Sequence, residues 1–259
     1  GFGLRHGSRA GVAVQASATG VSGKEAGKVE FTLRRARPHE LDLLAILSTE
    51  AFTPRGEWFD VVQRVKFLLV RWDLQAQFYQ RFYHWADVVK DFKPPVTEAR
   101  YALLAAAKSN GNAIGVTELC VAPNPASKQF SEEMSLRGSA PYLSNLAVDA
   151  KFRRNGIGQG LVKWCEELSG EWGHNALFLH VDVSNEAAIK FYMNMGFVEA
   201  PRDMSWYDRI GRQDLQVEQQ LLLVKLLEQP SAPPTGAEEE EEDEAQTAGE
   251  QEADVAGPL

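Results

Sequence analysis

The chain of 259 residues holds only two cysteines, Cys120 and Cys165, so no disulfide framework supports it. Each lies in an apolar stretch, one strand-like and one helix-like, which marks them as small buried residues of a protein in a reducing compartment. His6, His39, His84, His174 and His180 lack the Cys/His spacing of a metal site, and no metal is expected. No apolar run reaches the roughly 18 residues that a membrane span needs, so a soluble protein with no membrane partner is expected. Acid is missing from Gly1 to Lys24, where Arg5, Arg9 and Lys24 sit among Ala, Gly, Val and Ser. That composition suits an organellar transit peptide, and residues 1–28 are expected to be a disordered targeting segment. Base is missing at the other end: from Gln229 to Leu259 there is no Lys or Arg but ten acids. Residues 229–259 therefore read as a disordered acidic tail. Removing those ten charges from the formal net of -9 leaves +1 on residues 1–228. A near-neutral body excludes a surface built for nucleic acid.

Between these ends the hydrophobic pattern predicts one α/β domain over residues 29–228. Val29 to Arg35 alternates as a strand, and Pro38 starts a helix through Leu41, Leu44, Ala45 and Leu47. Glu57 to Lys90 is a long helical region with two apolar stripes, Val61/Val65/Leu68/Trp72 and Phe78/Phe82/Trp85/Val89. A bend near Asp73 is expected to separate them. Seven cations, Arg55, Arg64, Lys66, Arg71, Arg81, Lys90 and Lys93, read as a solvated face. Arg100 to Ala107 and Ala113 to Val121 flank Asn110-Gly111-Asn112 as a hairpin. Ala122 to Ser139 is expected to be a loop, and Tyr142 to Val148 a strand. A helix over Gly158 to Ser169, a strand over Ala176 to Val183 and a short helix capped by Ser184 or Asn185 follow. Two closing strands, Phe197 to Ala200 and Gln216 to Leu227, end the domain. No internal repeat is visible.

The string Arg153, Arg154, Asn155, Gly156, Ile157, Gly158, Gln159 falls between a strand and a helix. Glycine removes side chains where backbone must approach an anion, and the first-turn N–H groups of a helix have no intrahelical acceptor. Their partial positive charge attracts phosphate. A string of the looser pattern R/Q-x-x-G-x-G/A turns up by accident about once in every few chains of this size, so a second element is needed.

That element begins 27 residues after Gly158: Asn185, Ala188, Phe191, Tyr192, Gly196 and Phe197 spell N-x-x-A-x-x-F-Y-x-x-x-G-F. In this order and separation, the two motifs resemble the GNAT superfamily of acyl-CoA-dependent N-acetyltransferases. The close resemblance covers Pro141 to Phe197. It implies a mixed, mostly antiparallel central sheet of about seven strands flanked by helices, with acetyl-CoA as co-substrate. It also implies that backbone groups of Leu146, Ala147 and Val148 bind the pantetheine arm. The loop Arg153 to Gln159 would hold the pyrophosphate, and Asn185 would touch the pantetheine or its acetyl end. Tyr192 would stand beside the CoA sulfur and protonate the departing thiolate.

The reaction needs a neutral amine and a polarised thioester carbonyl, so a proton must leave the ammonium. His180, on the strand entering the second motif, and Tyr142, on the strand entering the first, resemble the deprotonating pair of the N-terminal acetyltransferase branch. Glu118 is the rival base, since many family members use a glutamate through water. An α-amine has a pKa near 7.7 to 8.0 against about 10.4 for lysine, and so needs less help. The expected acceptors are protein N-terminal α-amines, with lysine ε-amines second, and the transit-like head points to a plastid, with mitochondrion or cytoplasm as alternatives. Acetylation of a small arylalkylamine or polyamine is the competing enzyme reading, and a CoA-binding module without turnover is the competing binding reading. Oligomeric state is left open.

Overall fold

The structure, a computed structural model, describes residues 29–53, 61–93, 95–210 and 219–228. The targeting-segment and acidic-tail expectations therefore lie outside the described residues. Seven strands form one sheet: β1 (Phe31–Arg35), β2 (Tyr101–Lys108), β3 (Ala113–Pro123), β4 (Ser139–Val148), β5 (Ala176–Asp182), β6 (Val198–Glu199) and β7 (Gln220–Leu226). Their order is β1-β2-β3-β4-β5-β7-β6, with β7 inserted between β5 and β6. All neighbours run antiparallel except β4 and β5, which are parallel. This is the mixed, mostly antiparallel seven-stranded sheet that the sequence implies.

Strand alternation sends successive side chains to opposite faces, and both faces are covered. On one face Ala102, Leu104 and Ala106 of β2 pack with Leu119, Leu143 and the helix α4 (Ile157–Glu171). On the other, Leu103 and Ala105 pack with α1 (Leu41–Phe52) and Phe78 of α2 (Val61–Val88). Central β3 is buried along its whole length because it has a layer on each side. Helix α4 seats Leu161, Val162, Cys165 and Leu168 on the sheet. Burial of one such leucine contributes about 1.5–3 kcal/mol. Gly115 of β3 permits this seating, since a Cβ there would lie 2.9 Å from Ile157 Cγ2.

Three expectations need correction. Helix α2 runs without a break through Asp73; its non-helical residue is His84, at φ -127° and ψ 27°. The 122–139 segment is not all loop but carries α3 (Lys128–Glu133), whose Ser127 cap accepts from the Phe130 N–H. The first apolar stripe of α2 is not core: Trp72 is 76% exposed, and Val61, Val65 and Leu68 are exposed with it. The second stripe is core, with Phe78 fully buried. Identical periodicity meets different surroundings, because only the second half of α2 lies over the sheet and α1.

Candidate active site

Strands β4 and β5 share a single register pair, Tyr142 with Phe178, and diverge beyond it. Residues 143–148 consequently have no ladder partner on β5, and the two strands part at this point. A bulge sharpens the opening. Val116 pairs with Ala147 but Glu118 with Ser144, so one extra residue is accommodated in β4. Asn145 takes the strain at φ 53°, a left-handed value unusual for a residue other than glycine. Leu146, Ala147 and Val148, the expected pantetheine strand, follow directly. The Val148 carbonyl already accepts from Arg153 Nε at 3.1 Å, which leaves amides and the other carbonyls for a ligand.

The cradle forms where the motif predicts it. A short 3-10 turn after Asp149 leads through Arg154 at φ 63° to Gly156 at φ 80°, which caps α4. The Gly156 carbonyl accepts from Gly160 N at 2.9 Å as the first turn of α4 closes. The N–H groups of Ile157, Gly158 and Gln159 then have no acceptor within the helix. Asn155 folds back, its amide donating to the Phe152 and Arg153 carbonyls at 3.1 Å each. Gly158 faces α5 (Glu186–Asn194), and a Cβ there would touch Phe191 at 3.4 Å. Asn185 caps α5 through Oδ1, which accepts from the Ala188 N–H at 3.1 Å. Its Nδ2 is the part available to a ligand.

Tyr142 and His180 meet across the mouth of the cleft. The Tyr142 hydroxyl lies 2.9 Å from His180 Nδ1. Trp206 of α6 (Trp206–Arg209) packs on both rings, with centroids 5.0 Å from Tyr142 and 4.9 Å from His180. Its indole N–H donates to the Pro123 carbonyl at 2.7 Å, which fixes the stack to the end of β3. Burial first, and then the charge of Arg202, lower the His180 imidazole to about 3, so the ring is neutral at physiological pH. Tyr192 on α5 is 7% exposed, edge-on to Phe191 and Phe197. Burial, and then the neighbouring Cys165 thiol, push its phenol upward, so it stays protonated.

Glu118 is 1% exposed and lies beneath α2, on the same face of the sheet as Ser144 and Tyr142. Its carboxylate accepts from Arg81 Nη1 at 2.9 Å, the Tyr101 hydroxyl at 2.7 Å, the Ser144 hydroxyl at 3.4 Å and the Asn145 amide. Arg81 is thus not one of a solvated set of cations but half of a largely buried ion pair. The structure brings Tyr142 and His180 together and leaves Glu118 occupied elsewhere.

A family profile described as acetyltransferase (GNAT) family matches residues 64–197, more than half of the chain. The chain belongs to this GNAT family. GCN5-related N-acetyltransferase 7, chloroplastic, of Arabidopsis thaliana is 40% identical over 68 residues, 26% of this chain and 25% of that protein. Human N-alpha-acetyltransferase 30 is 37% identical over 92 residues, 36% of this chain and 25% of that protein. The chain therefore spans about a quarter of the length of these relatives. A solved GNAT acetyltransferase from Staphylococcus aureus Mu50 shares the fold with a TM-score of 0.50 and 14% identity, over 76% of this chain and 99% of that one.

Within this GNAT site, sequence reading missed the parts that long-range contact assembles. Trp206 sits in a polar connection whose pattern gives no reason to place it on His180. Asn145 has no sequence signal beyond its own tolerance of left-handed backbone. Arg81 stands out only as a cation among apolar neighbours on the half of α2 that carries Phe78 and Trp85.

Proposed function

We propose that this protein is an N-acetyltransferase that moves the acetyl group of acetyl-CoA to protein N-terminal α-amines, with lysine ε-amines as a second acceptor class. The observation that carries the reading is the Tyr142–His180 contact of 2.9 Å at the point where β4 and β5 part. The names of the matched relatives, N-alpha-acetyltransferase 30 and the chloroplastic GCN5-related N-acetyltransferases 7 and 4, support the acceptor class and a plastid location. The acid-free N-terminal stretch adds to the latter.

The cradle fits acetyl-CoA on its own geometry: a glycine with φ 80° at the cap, then three first-turn amides aimed outward. Arg153 to Gln159 would hold the pyrophosphate, and backbone groups of Leu146 to Val148 that β3 does not pair would hold the pantetheine arm. Acetyl-CoA supplies an activated acetyl group. Tyr142 and His180, directly or through water, orient the amine and pass the proton that the ammonium loses on to solvent. The amine nitrogen then bonds to the carbonyl carbon and gives its second proton to solvent as the C–S bond breaks. Tyr192, kept protonated by burial, donates its proton to the leaving thiolate. Since His180 is already neutral, the acid limb of the pH profile follows the acceptor amine, near 7.7 to 8.0 for an α-amine.

The test is mass spectrometry of a peptide mixture offering free α-amines and lysines with acetyl-CoA, beside small arylalkylamines and polyamines. Acetylated peptide N-termini are expected. Rapid acetylation of small amines with untouched peptides would overturn the reading.

A further inference from the structure

We propose that Arg81 is a positioning residue for acetyl transfer, acting through Glu118 to lock the β4 bulge that shapes the acetyl-CoA strand. The inference rests on the acetyl-CoA site proposed above and adds residues to it. Glu118 lies on the same face of the sheet as Tyr142 but is fully engaged by four partners, two of them at the bulge. Ser144 and Asn145 belong to the bulge itself, Tyr101 lies on the neighbouring strand, and Arg81 comes from α2. The Thr117 hydroxyl adds a further fastening by donating to the Ser144 carbonyl at 3.1 Å. Asn145 holds φ 53°, a left-handed state that asparagine tolerates and that its side-chain bond to Glu118 fixes here. The Glu118 carboxylate is itself held by Arg81 at 2.9 Å. The Gln77 side-chain oxygen in turn accepts from Arg81 Nη2 at 3.1 Å, one helical turn earlier.

Loss of the guanidinium leaves a buried, unpaired carboxylate. Without its Arg81 partner the side chain is free to turn, and the Asn145 amide then loses its acceptor. The bulge then relaxes, and the backbone of Leu146 to Val148, the next three residues, rotates out of its set direction. The same ion pair pins α2 to β3.

The experiment uses the whole chain and compares Arg81→Gln, Arg81→Lys, Asn145→Gly and Glu118→Gln. Acetyl-CoA Kd is read by calorimetry, and KM, kcat and pH profile by peptide acetylation. Arg81→Gln is expected to raise acetyl-CoA Kd and KM tenfold or more, with a smaller change in kcat and an unmoved pH profile. Arg81→Lys should recover part of the affinity. Asn145→Gly tolerates the left-handed backbone but lacks the amide link, so its Kd should rise several-fold while its melting temperature holds. It keeps the proposal testable if the Arg81 variants fold poorly. Acetyl-CoA Kd within twofold of the parent in both Arg81→Gln and Asn145→Gly would overturn the proposal. So would a Glu118→Gln protein that binds acetyl-CoA normally but loses kcat and its acid limb, the signature of a base. Because Kd is read without acceptor, it decides the matter even where the acceptor assignment fails.

Discussion

The two sides of the cleft are built from different material. The donor side is backbone: first-turn amides of α4, a capping glycine at φ 80° and the unpaired edge of β4 beyond Tyr142. The acceptor side is side chains from three separate elements, Tyr142 on β4, His180 on β5 and Trp206 on α6, brought within 5.7 Å of one another between ring centroids. Backbone donors are oriented by secondary structure itself and need little sequence beyond glycine. Side-chain constellations instead depend on each supporting contact. In the site as proposed, the α4 cradle is accordingly the part that one short motif specifies, while the β4 strand and the acceptor side both depend on distant side chains.

Tyr192→Phe breaks that comparison most sharply, because Tyr192 belongs by sequence to the donor motif yet would act through a side chain. The variant keeps the packing against Phe191 and Phe197 and removes only the phenolic proton. If the proton is donated to the thiolate, kcat falls by about 10²–10⁴ while acetyl-CoA affinity changes little. Steady-state kinetics beside a binding titration separates the two. Unchanged kcat would reduce Tyr192 to a packing residue.

Trp206→Phe tests the acceptor side alone. It shortens the stack on Tyr142 and His180 and deletes the 2.7 Å bond to the Pro123 carbonyl. A cost of about 2 kcal/mol in unfolding free energy is expected from the lost bond and the smaller ring. Acceptor KM should rise about tenfold, and acetyl-CoA Kd should not move. A matching rise in acetyl-CoA Kd would show that the two sides are not independent.

How much of this was legible follows from the same division. The Arg153 to Gln159 loop leads into α4, Asn185 caps α5 and Tyr192 lies on α5, as the strand-loop-helix pattern of each motif expects, because local rules fix such continuous segments. The Tyr142–His180 pair was legible only through family resemblance, since the register pair that unites β4 and β5 joins residues 36 apart. Glu118 has the residue type of a base, but its role depends on which face of β3 it occupies and what waits there. Arg81 waits there, 37 residues back in the chain. The halves of α2 show the same limit, since Val61 to Trp72 and Phe78 to Val89 share a spacing and only the second stripe finds a sheet to cover.

The smallest effect concerns the charge state of His180. Folded, the imidazole binds its proton only near pH 3, because burial and Arg202 disfavour the cation. Unfolded, it does so near 6.5. The unfolded chain therefore takes up a proton that the folded chain refuses as pH falls below 6.5. The stabilising contribution is complete above that pH and is lost toward pH 3, at about 1.4 kcal/mol per pH unit. Carboxylates titrate in the same window, so the measurement is a difference. Urea unfolding of the parent and His180→Asn at pH 6 and pH 5 should show the parent losing about 1.4 kcal/mol more than the variant. Equal losses would mean that the ring is already solvated, and the acid limb of catalysis would then belong to His180 rather than to the acceptor amine.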